Sequence, residues 1–297
     1  MSAPPDTGGA PLISVITATW NLLSQGRQEP FRRVIDCMAR QNCEQAEHVI
    51  QDGASDDGTV PFIQELIADR PRTRLVSEPD AGLYDAMNRG VTAARGEYVL
   101  FLNSDDALAS DDVLSRAADL LQTHRPDYLY GPSIQRLADG SERRERRMSH
   151  NAILQRMPFC HNSVFLRRDM FLELGGHDTR FRIAADYDLV LRMVGAGYRG
   201  LRMEQPISLF WERGETSDDK ATGLDYARVW QNYFARYKSA ATLTLEDYAE
   251  FYRRGHMPIS LIRDVMADPQ TPAAIRVAAR HSLKKSLRRA VQFWRRF

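Results

Sequence analysis

The segment Ser77–Asp106 constrains the fold most, because it joins a helical pattern to a buried strand and then to an acidic loop. Apolar residues at steps of four predict a helix over 83–94, and Gly96 is placed to end it. The apolar run Tyr98–Leu102 predicts a strand that is buried on both faces. Asn103–Asp106 follows directly, so we expect its carboxylates at the carboxyl edge of an α/β sheet, where such sheets bind ligands.

Strands and helices alternate on both sides of this segment. The rhythm predicts a parallel sheet with helices on both faces. Strands are predicted at Leu12–Thr19, Glu47–Gln51, Thr73–Val76, 127–131 and 164–166, helices at 32–40, 62–68 and 111–122, and a hairpin turn at Asp139–Gly140.

Two acidic loops carry the chemical signals, and each has two interpretations. The loop at 52–59, DGASDDGT, follows the second predicted strand and is typical of a tight turn that starts a helix. Asp105 and Asp106 suit either a solvated turn with a helix cap or a hard divalent cation, which prefers oxygen ligands and often bridges to phosphates. Local pattern alone leaves both choices open.

Composition favours an ordinary globular protein, with 43% hydrophobic and 27% charged residues. The net charge of +1 identifies no partner, and we expect none among nucleic acids. Cys37, Cys43 and Cys160 match no metal or redox spacing, which favours reduced thiols in a cytoplasmic protein. Residues 1–11 are polar and rich in Pro and Gly, so we expect a disordered start rather than a signal peptide or anchor.

Three segments, in order, carry a family resemblance: the 52–59 loop, the pattern D-x-G-x-x-D-A-x-N at 80–88, and Asn103–Asp106. Together they resemble the family 2 glycosyltransferases of the GT-A fold. His161 and Asn162 are similar to a His-Gln pair of the bacterial exopolysaccharide, or colanic-acid-type, branch. The resemblance covers 12–217 and implies a GT-A domain, an α/β fold with a mostly parallel central sheet. Residues 218–297 then form a helical C-terminal extension.

The resemblance implies a sugar-nucleotide donor held with Mn²⁺ or Mg²⁺. Asp105 and Asp106 are the implied metal ligands, with Asn103 where the family usually has Asp. Asp52 would accept hydrogen bonds from the base, since only an acceptor can receive a base N–H. The implied donor-binding residues are Thr19, Asn21, Asp52, Asp80, Gly82, Asp85, Asn103, Ser104 and His161. Plainer roles stay open: favourable placement near a helix dipole for Asp85, and simple packing for His161.

By the same resemblance, Asp186 is the general base of an inverting transfer. The family's Glu-Asp pair is Ala185-Asp186 here, so the Glu is missing. Asp186 also lies where a helix N-cap is expected, and one carboxylate can serve both roles. The mechanism requires Asp52, Asp105 and Asp186 around a single cleft.

Two other functions are weighed against transfer. A GT-A module that binds sugar nucleotides without activity would lack the base, and Asp186 argues against it. A sugar nucleotidyltransferase would need a Gly-rich phosphate loop after the first strand, where this chain has Thr17–Asn21. A processive synthase would need membrane spans and a Gln-x-x-Arg-Trp segment, and neither is found.

The C-terminal tail predicts a basic amphipathic helix. Leu283, Leu287, Val291 and Trp294 recur at steps of four and three, and eight Lys or Arg but no acid follow Asp268. Such a helix either lies on an anionic membrane or docks on the protein. The first choice would bring a cytoplasmic enzyme to the inner face of the membrane, where it meets a glycan or lipid-linked acceptor of surface polysaccharide synthesis.

Overall fold

The computed structural model describes residues 9–144, 150–211, 219–255 and 257–294, with the side chains of 286–294 left aside. The chain divides into two compact units. The sheet unit comprises Met1–Arg146, Phe159–Gly176 and Arg199–Glu212. The helical unit comprises Arg147–Pro158, His177–Tyr198 and Arg213–Phe297. Each unit is described by itself.

The strands and helices follow the predicted alternation. In chain order they are β1 (Ile13–Thr19), α1 (Gln28–Arg40), β2 (Ala46–Asp52), α2 (Thr59–Ile67), β3 (Thr73–Ser77), α3 (Leu83–Ala93), β4 (Tyr98–Phe101), β5 (Ala107–Leu108), α4 (Val113–His124), β6 (Tyr128–Tyr130), β7 (Ser133–Arg136), β8 (Glu142–Arg144), β9 (Val164–Arg167), α5 (Arg168–Glu173), α6 (Ala185–Gly195), β10 (Gly200–Arg202), β11 (Ser208–Trp211), α7 (Asp219–Phe234), α8 (Leu245–Arg254), α9 (Ile259–Ala267) and α10 (Ala273–Trp294). Short 3-10 turns at His150–Ala152, His161–Ser163 and Lys238–Thr242 complete the set.

The sheet unit contains a seven-stranded sheet in the order β10-β6-β9-β4-β1-β2-β3. β1 pairs in parallel with β2 and β4, β2 pairs in parallel with β3, and β9 runs antiparallel between β4 and β6. The carboxyl ends of β1, β2, β3 and β4 therefore share one edge. A second sheet, β5-β11-β7-β8, includes the predicted hairpin, β7 and β8. The basic sequence SERRERR at 141–147 forms β8 and continues beyond it, and its residues 145–147 lie outside the described residues.

Helices cover both faces of the large sheet, as predicted. Ile13 and Val15 of β1 share a buried cluster with Val34 of α1 and Leu114 of α4. On the opposite face α3 packs so closely that a Cβ on Gly90 would lie 2.5 Å from Ile16 Cγ2. A central parallel strand is thus covered on both faces, which explains why these strands are rich in apolar residues.

The prediction that Gly96 ends α3 is wrong. The helix ends at Ala93, with Ala94 already extended. Gly96 is needed instead for a close approach between chains of the sheet. Its N–H donates to Ser14 Oγ at 2.8 Å, and a Cβ there would lie 2.6 Å from the Ser14 nitrogen. Helix-ending glycines and close-packing glycines look alike in a sequence.

The helical unit is built on a buried aromatic core. Tyr187 of α6 stacks on Tyr226 of α7 at 4.6 Å, and Tyr226 stacks on Tyr252 of α8 at the same distance. Trp230 donates its indole N–H to the Tyr187 hydroxyl at 2.8 Å, so the polar groups of these two side chains are hydrogen-bonded. Lys285 of α10 donates to Gln155 at 2.6 Å.

The first part of α10 therefore packs within the helical unit. Ile275, Ala278 and Ala279 are fully buried there. The described range ends at Trp294, so the predicted Arg295 and Arg296 lie outside it. In the part of the chain that the structure describes, no helix is long and apolar enough to cross a membrane.

Candidate active site

The candidate site lies at the carboxyl edge of the seven-stranded sheet. Parallel register sets Thr19 at the end of β1 beside Asp52 at the end of β2, and Asp52 beside Ser77 at the end of β3. The acidic loop 103–106 follows β4, the other parallel neighbour of β1. The three segments that carried the resemblance are therefore brought to one edge by strand register alone.

Asp52 is completely buried, and the protein itself supplies donors to both of its oxygens. Oδ1 accepts from Thr19 Oγ1 at 3.2 Å and from Ser55 Oγ at 2.6 Å. Oδ2 accepts from the Ser55 N–H at 2.9 Å and from Ser77 Oγ at 2.8 Å. Each oxygen has two donors, which fills the acceptor capacity of a carboxylate. Asp52 ties three strand ends together, and its predicted contact with a base stays a prediction.

Asn21 joins the loop after β1 to the loop after β2. Its backbone is left-handed, with φ of 48°, a conformation that Asn tolerates better than most residues. Its amide donates to Asp56 Oδ1 and accepts from the Asp56 N–H, both at 3.1 Å. The Ser24 N–H donates to Asp57 Oδ2 at 2.8 Å. These bonds hold the two loops as one surface.

Trp20 stands on that surface between Thr19 and Asn21, with 58% of its area exposed. This exposure leaves much of the indole ring accessible to solvent. Trp20 is not among the residues predicted from the sequence, because only its exposure distinguishes it from a core residue.

The segment before α3 is fixed by its own carboxylates. Gly82 has φ of 121°, which requires glycine, and its N–H donates to Asp80 Oδ1 at 2.8 Å. Asp80 also lies against the β2 loop, since a Cβ on Gly53 would be 2.5 Å from Asp80 Oδ2. Burial raises the pKa of Asp80 above its usual range. This carboxylate is therefore next to the Asp52 loop.

Asp85 is locked in place within the first turn of α3. Its Oδ2 accepts from the Ala81 N–H and from Arg89 Nε, both at 3.0 Å. The Ala81 N–H lowers the pKa of this carboxyl. Arg89 pairs with Glu78 as well, at 3.4 Å. Asp85 thus lies near the N-terminus of α3, where the helix dipole favours a carboxylate, and it joins the preceding loop to the helix through Ala81 and Arg89.

Asp106 is a buried carboxylate, only 5% exposed, that organises the acidic loop. Its Oδ2 accepts from the amides of Asn103 at 2.9 Å and Asn162 at 2.7 Å. Asn162 in turn accepts from Ser208 Oγ at 2.8 Å. Burial, with the neighbouring charge of Asp105, raises the pKa of Asp106 to about 6. Asp106 therefore fastens β4 to the 3-10 turn at 161–163 and to β11.

Asp105 presents its carboxylate outward from the same loop. Its side chain is 31% exposed, and Oδ2 lies 3.4 Å from Arg27 Nη2. Ser104 is buried beside it. His161 Nε2 lies 3.4 Å from the amide nitrogen of Asn103, so His161 belongs to the acidic loop cluster.

A divalent cation fits this loop on the chemistry of its donors. No group of three or more His, Cys, Asp or Glu suited to hold a metal occurs in the described ranges. Mg²⁺ does not need one, because it keeps several waters and binds through one or two carboxylates plus substrate phosphates. The accessible carboxylate of Asp105 satisfies that requirement, while one oxygen of Asp106 is already used by two amides.

Asp186 lies in the helical unit, in the first turn of α6. The expectation that it caps this helix is wrong, because Ala184 is the N-cap residue. Asp225 of α7 fixes the residues that lead into α6: its Oδ2 accepts from the N–H groups of Ile183 at 2.7 Å and Ala184 at 3.0 Å. Asp186 is half-buried, and its Oδ1 accepts from the Tyr187 N–H at 2.7 Å. Whether Asp186 shares a cleft with Asp52 and Asp105 stays a prediction.

The chain is similar to known proteins in both sequence and fold. The sequence profile described as "Glycosyl transferase family 2" matches residues 14–181, more than half of the chain. The chain is a family 2 glycosyltransferase. A "PGL/p-HBAD biosynthesis glycosyltransferase" of Mycobacterium bovis (strain BCG / Pasteur 1173P2) is 36% identical over 186 residues, which are 62% of this chain and 70% of that protein.

Two solved structures support the GT-A fold of this glycosyltransferase. A mannosyltransferase from Pyrobaculum calidifontis, in complex with GDP-Man and Mn²⁺, has a TM-score of 0.62 at 19% identity and covers 95% of this chain and 82% of its own. S. aureus TarS 1-349, in complex with UDP-GlcNAc, has a TM-score of 0.60 at 16% identity, with coverage of 82% and 70%. These likenesses confirm the predicted fold class, a mixed α/β sheet with a helical C-terminal region.

The structure of the glycosyltransferase groups the predicted residues other than Asp186 into two clusters of the sheet unit. Thr19, Asn21, Asp52 and Asp80 meet through the loops after β1, β2 and β3, with Gly82 and Asp85 at the start of α3. Asn103, Ser104, Asp105, Asp106 and His161 form the second cluster. Arg27 bridges from the β1 loop to Asp105, and sequence reasoning missed it. Asn162 and Asp225 were missed as organisers, since partners this distant in sequence leave no local pattern.

Proposed function

We propose that this glycosyltransferase is an inverting, metal-dependent enzyme. It moves a sugar from a nucleoside-diphosphate sugar to a hydroxyl of a glycan or lipid-linked oligosaccharide in surface polysaccharide synthesis. The observation that carries the proposal is the accessible Asp105 carboxylate, held at the carboxyl edge of the sheet by a buried Asp106. The comparisons support the donor class, because two structural neighbours carry sugar nucleotides.

The donor nucleotide binds on the joined loops after β1 and β2. Exposed Trp20 stacks on the base, while Asp52 and Asp80 provide acceptors beside it. An N–H of the base reaches Asp52 by replacing a hydroxyl donor such as Ser77, whose hydroxyl can rotate away. Ser104, Asn103 and His161 lie next to Asp105 and face the sugar and diphosphate.

Asp105 would hold the divalent cation, Mn²⁺ or Mg²⁺, with Asp106 fixing the loop behind it. When bound, such a cation neutralises charge on a leaving diphosphate. The chain's own contribution is the position of the Asp105 carboxylate. The hydrogen bonds that the side-chain amides of Asn103 and Asn162 donate to Asp106 hold the loop in place. The Asp105 carboxylate is therefore in position before the donor binds.

Asp186 takes the proton from the acceptor hydroxyl as that oxygen attacks the anomeric carbon from the face opposite the diphosphate. Positive charge develops on the sugar ring, as in other glycosyl transfers. Asp225 supports this role by fixing the start of α6, which carries Asp186. A weak base such as a carboxylate suffices, because the hydroxyl becomes acidic as its oxygen bonds to carbon.

The distal part of α10 binds an anionic membrane surface and brings the enzyme to a lipid-linked acceptor. The support is sequence alone: basic residues surround the apolar positions Leu287, Val291 and Trp294. The docked first part of α10 anchors the distal part to the helical unit. This combines the two roles that the tail sequence left open.

The experiment compares wild type with Asp186→Asn across UDP-, GDP- and dTDP-sugars in Mn²⁺. We expect transfer to be abolished while nucleotide binding survives, since the amide cannot take a proton. Unchanged turnover would remove the base assignment. The anomeric configuration of the product, read by NMR, tests inversion: retention of the donor's configuration would contradict it.

A further inference from the structure

Arg27 is the cation that the structure places against the metal-binding carboxylate. Its Nη2 lies 3.4 Å from Asp105 Oδ2, with side-chain exposures of 36% for Arg27 and 31% for Asp105. A single contact at this distance and exposure is a weak ion pair. Such a pair is easily exchanged for a better one.

The backbone of Arg27, in contrast, is held firmly. Its N–H donates to the Leu22 carbonyl at 2.8 Å, and its own carbonyl accepts from the Phe31 N–H at 3.0 Å in the first turn of α1. The loop that leads to it is tied to the β2 loop through Asn21 and Ser24. A fixed backbone with a loosely held guanidinium lets the side chain change partners without moving the loop.

We propose that Arg27 exchanges partners during donor binding: it pairs with Asp105 in the donor-free enzyme and with the diphosphate in the donor complex. The inference rests on the proposed function. A divalent cation on Asp105 competes with Arg27 for the same carboxylate, which releases the guanidinium. The fork of N–H donors on arginine matches phosphate oxygens in pairs.

Charge also requires a second cation at this place. A dianionic diphosphate and the Asp105 carboxylate together carry more negative charge than one divalent cation neutralises. Arg89 is less suited, because it already pairs with both Asp85 and Glu78. In the donor complex, Arg27 thus completes the charge balance. In the donor-free state, it pairs with the Asp105 carboxylate, which would otherwise face Asp106 without a cation.

The test measures binding rather than turnover. Arg27→Gln removes the charge, and Arg27→Lys keeps it but loses the fork. Arg40→Gln is the matched control, because Arg40 ends the same helix and forms an exposed ion pair with Asp111 at 3.2 Å. Calorimetry gives the affinity for Mn²⁺ alone, and for UDP, GDP and dTDP with Mn²⁺ present. Circular dichroism confirms that each variant is folded.

For Arg27→Gln we expect Mn²⁺ alone to bind about threefold tighter, because its competitor is gone. The preferred nucleoside diphosphate should bind about tenfold weaker or worse, since a charge-assisted contact is lost. Arg27→Lys should fall between, and Arg40→Gln should match wild type. Unchanged affinities in Arg27→Gln overturn the inference but leave the proposed function standing. A wild type that binds none of the three nucleotides overturns both.

Discussion

The sharpest prediction concerns the charge on Asp106. This carboxylate is 5% exposed, and burial with the nearby Asp105 charge raises its pKa from 3.8 to about 6. Asp106→Asn keeps an oxygen for the two amide donors, Asn103 and Asn162, and removes the charge. The variant therefore isolates what it costs to ionise this group inside the sheet unit.

The sign follows from proton linkage. Between pH 3.8 and about 6 the folded state holds the Asp106 proton more tightly than the unfolded state. The protonated Asp106 carboxyl therefore stabilises the folded state fully at pH values below its pKa in the unfolded state. This stabilisation is lost as the pH rises through its pKa in the folded state. The total loss is on the order of 3 kcal/mol, and roughly half of it falls between pH 5 and 8.

The assay is urea unfolding in EDTA at several pH values from 5 to 8, for wild type and Asp106→Asn. The quantity of interest is the difference in unfolding free energy between the two proteins. Any cost of the buried amide that does not depend on pH cancels in the change of this difference. We expect the difference to shift by roughly 1 to 2 kcal/mol in favour of the variant as pH rises.

Asp139→Asn provides a control that should show no pH dependence over this range. The hydroxyl of Ser141, followed by its N–H, lowers the pKa of Asp139, so its contribution is lost only as the pH falls below 3.8, outside the range of the assay. A flat difference for Asp106→Asn, or one that moves toward wild type as pH rises, would refute the assignment of Asp106 as a buried, reluctantly ionised group.

Three further predictions test other parts of the account. Trp20→Ala should weaken nucleoside diphosphate binding by about tenfold, as expected for loss of one stacking contact, and unchanged affinity in calorimetry would exclude stacking on Trp20. Asp225→Ala should lower the free energy of unfolding in urea by about 2 kcal/mol, because two N–H groups at the start of α6 lose their acceptor. It should also lower kcat by a larger factor than it changes the donor KM. Wild-type values of stability and kcat in this variant would contradict the positioning role of Asp225. Truncation after Lys285, which spares the contact with Gln155, should release the protein from anionic vesicles in a sedimentation assay, whereas retained binding would locate the membrane surface elsewhere.

The fold was predictable because its central strands are rich in apolar and β-branched residues and are separated by segments with a helical period. β1 to β4 and the helices between them follow those patterns closely. The short strands β5, β10 and β11 were not predicted. Two to four residues contain too few positions for a period, and their pairing partners are distant in sequence.

The site was predictable where chemistry is local and unpredictable where it depends on contacts. The carboxylates of Asp52, Asp105 and Asp106 could be selected as a group, but their burial could not. Asp52 and Asp106 are buried and accept hydrogen bonds from within the protein, while Asp105 alone of the three is accessible to solvent. That difference arises from donors contributed by remote strands, which no spacing rule reports.

The most direct test of the central claim is the release of nucleoside diphosphate from UDP-, GDP- and dTDP-sugars in Mn²⁺, measured for wild type and Asp105→Asn at matched protein concentrations. We expect wild type to cleave at least one donor, and the variant to do so at least about a hundredfold more slowly, because the neutral amide is a poor ligand for the cation that assists the leaving group. Equal rates in the two proteins, or no cleavage of any of these donors by wild type, would contradict the proposed chemistry.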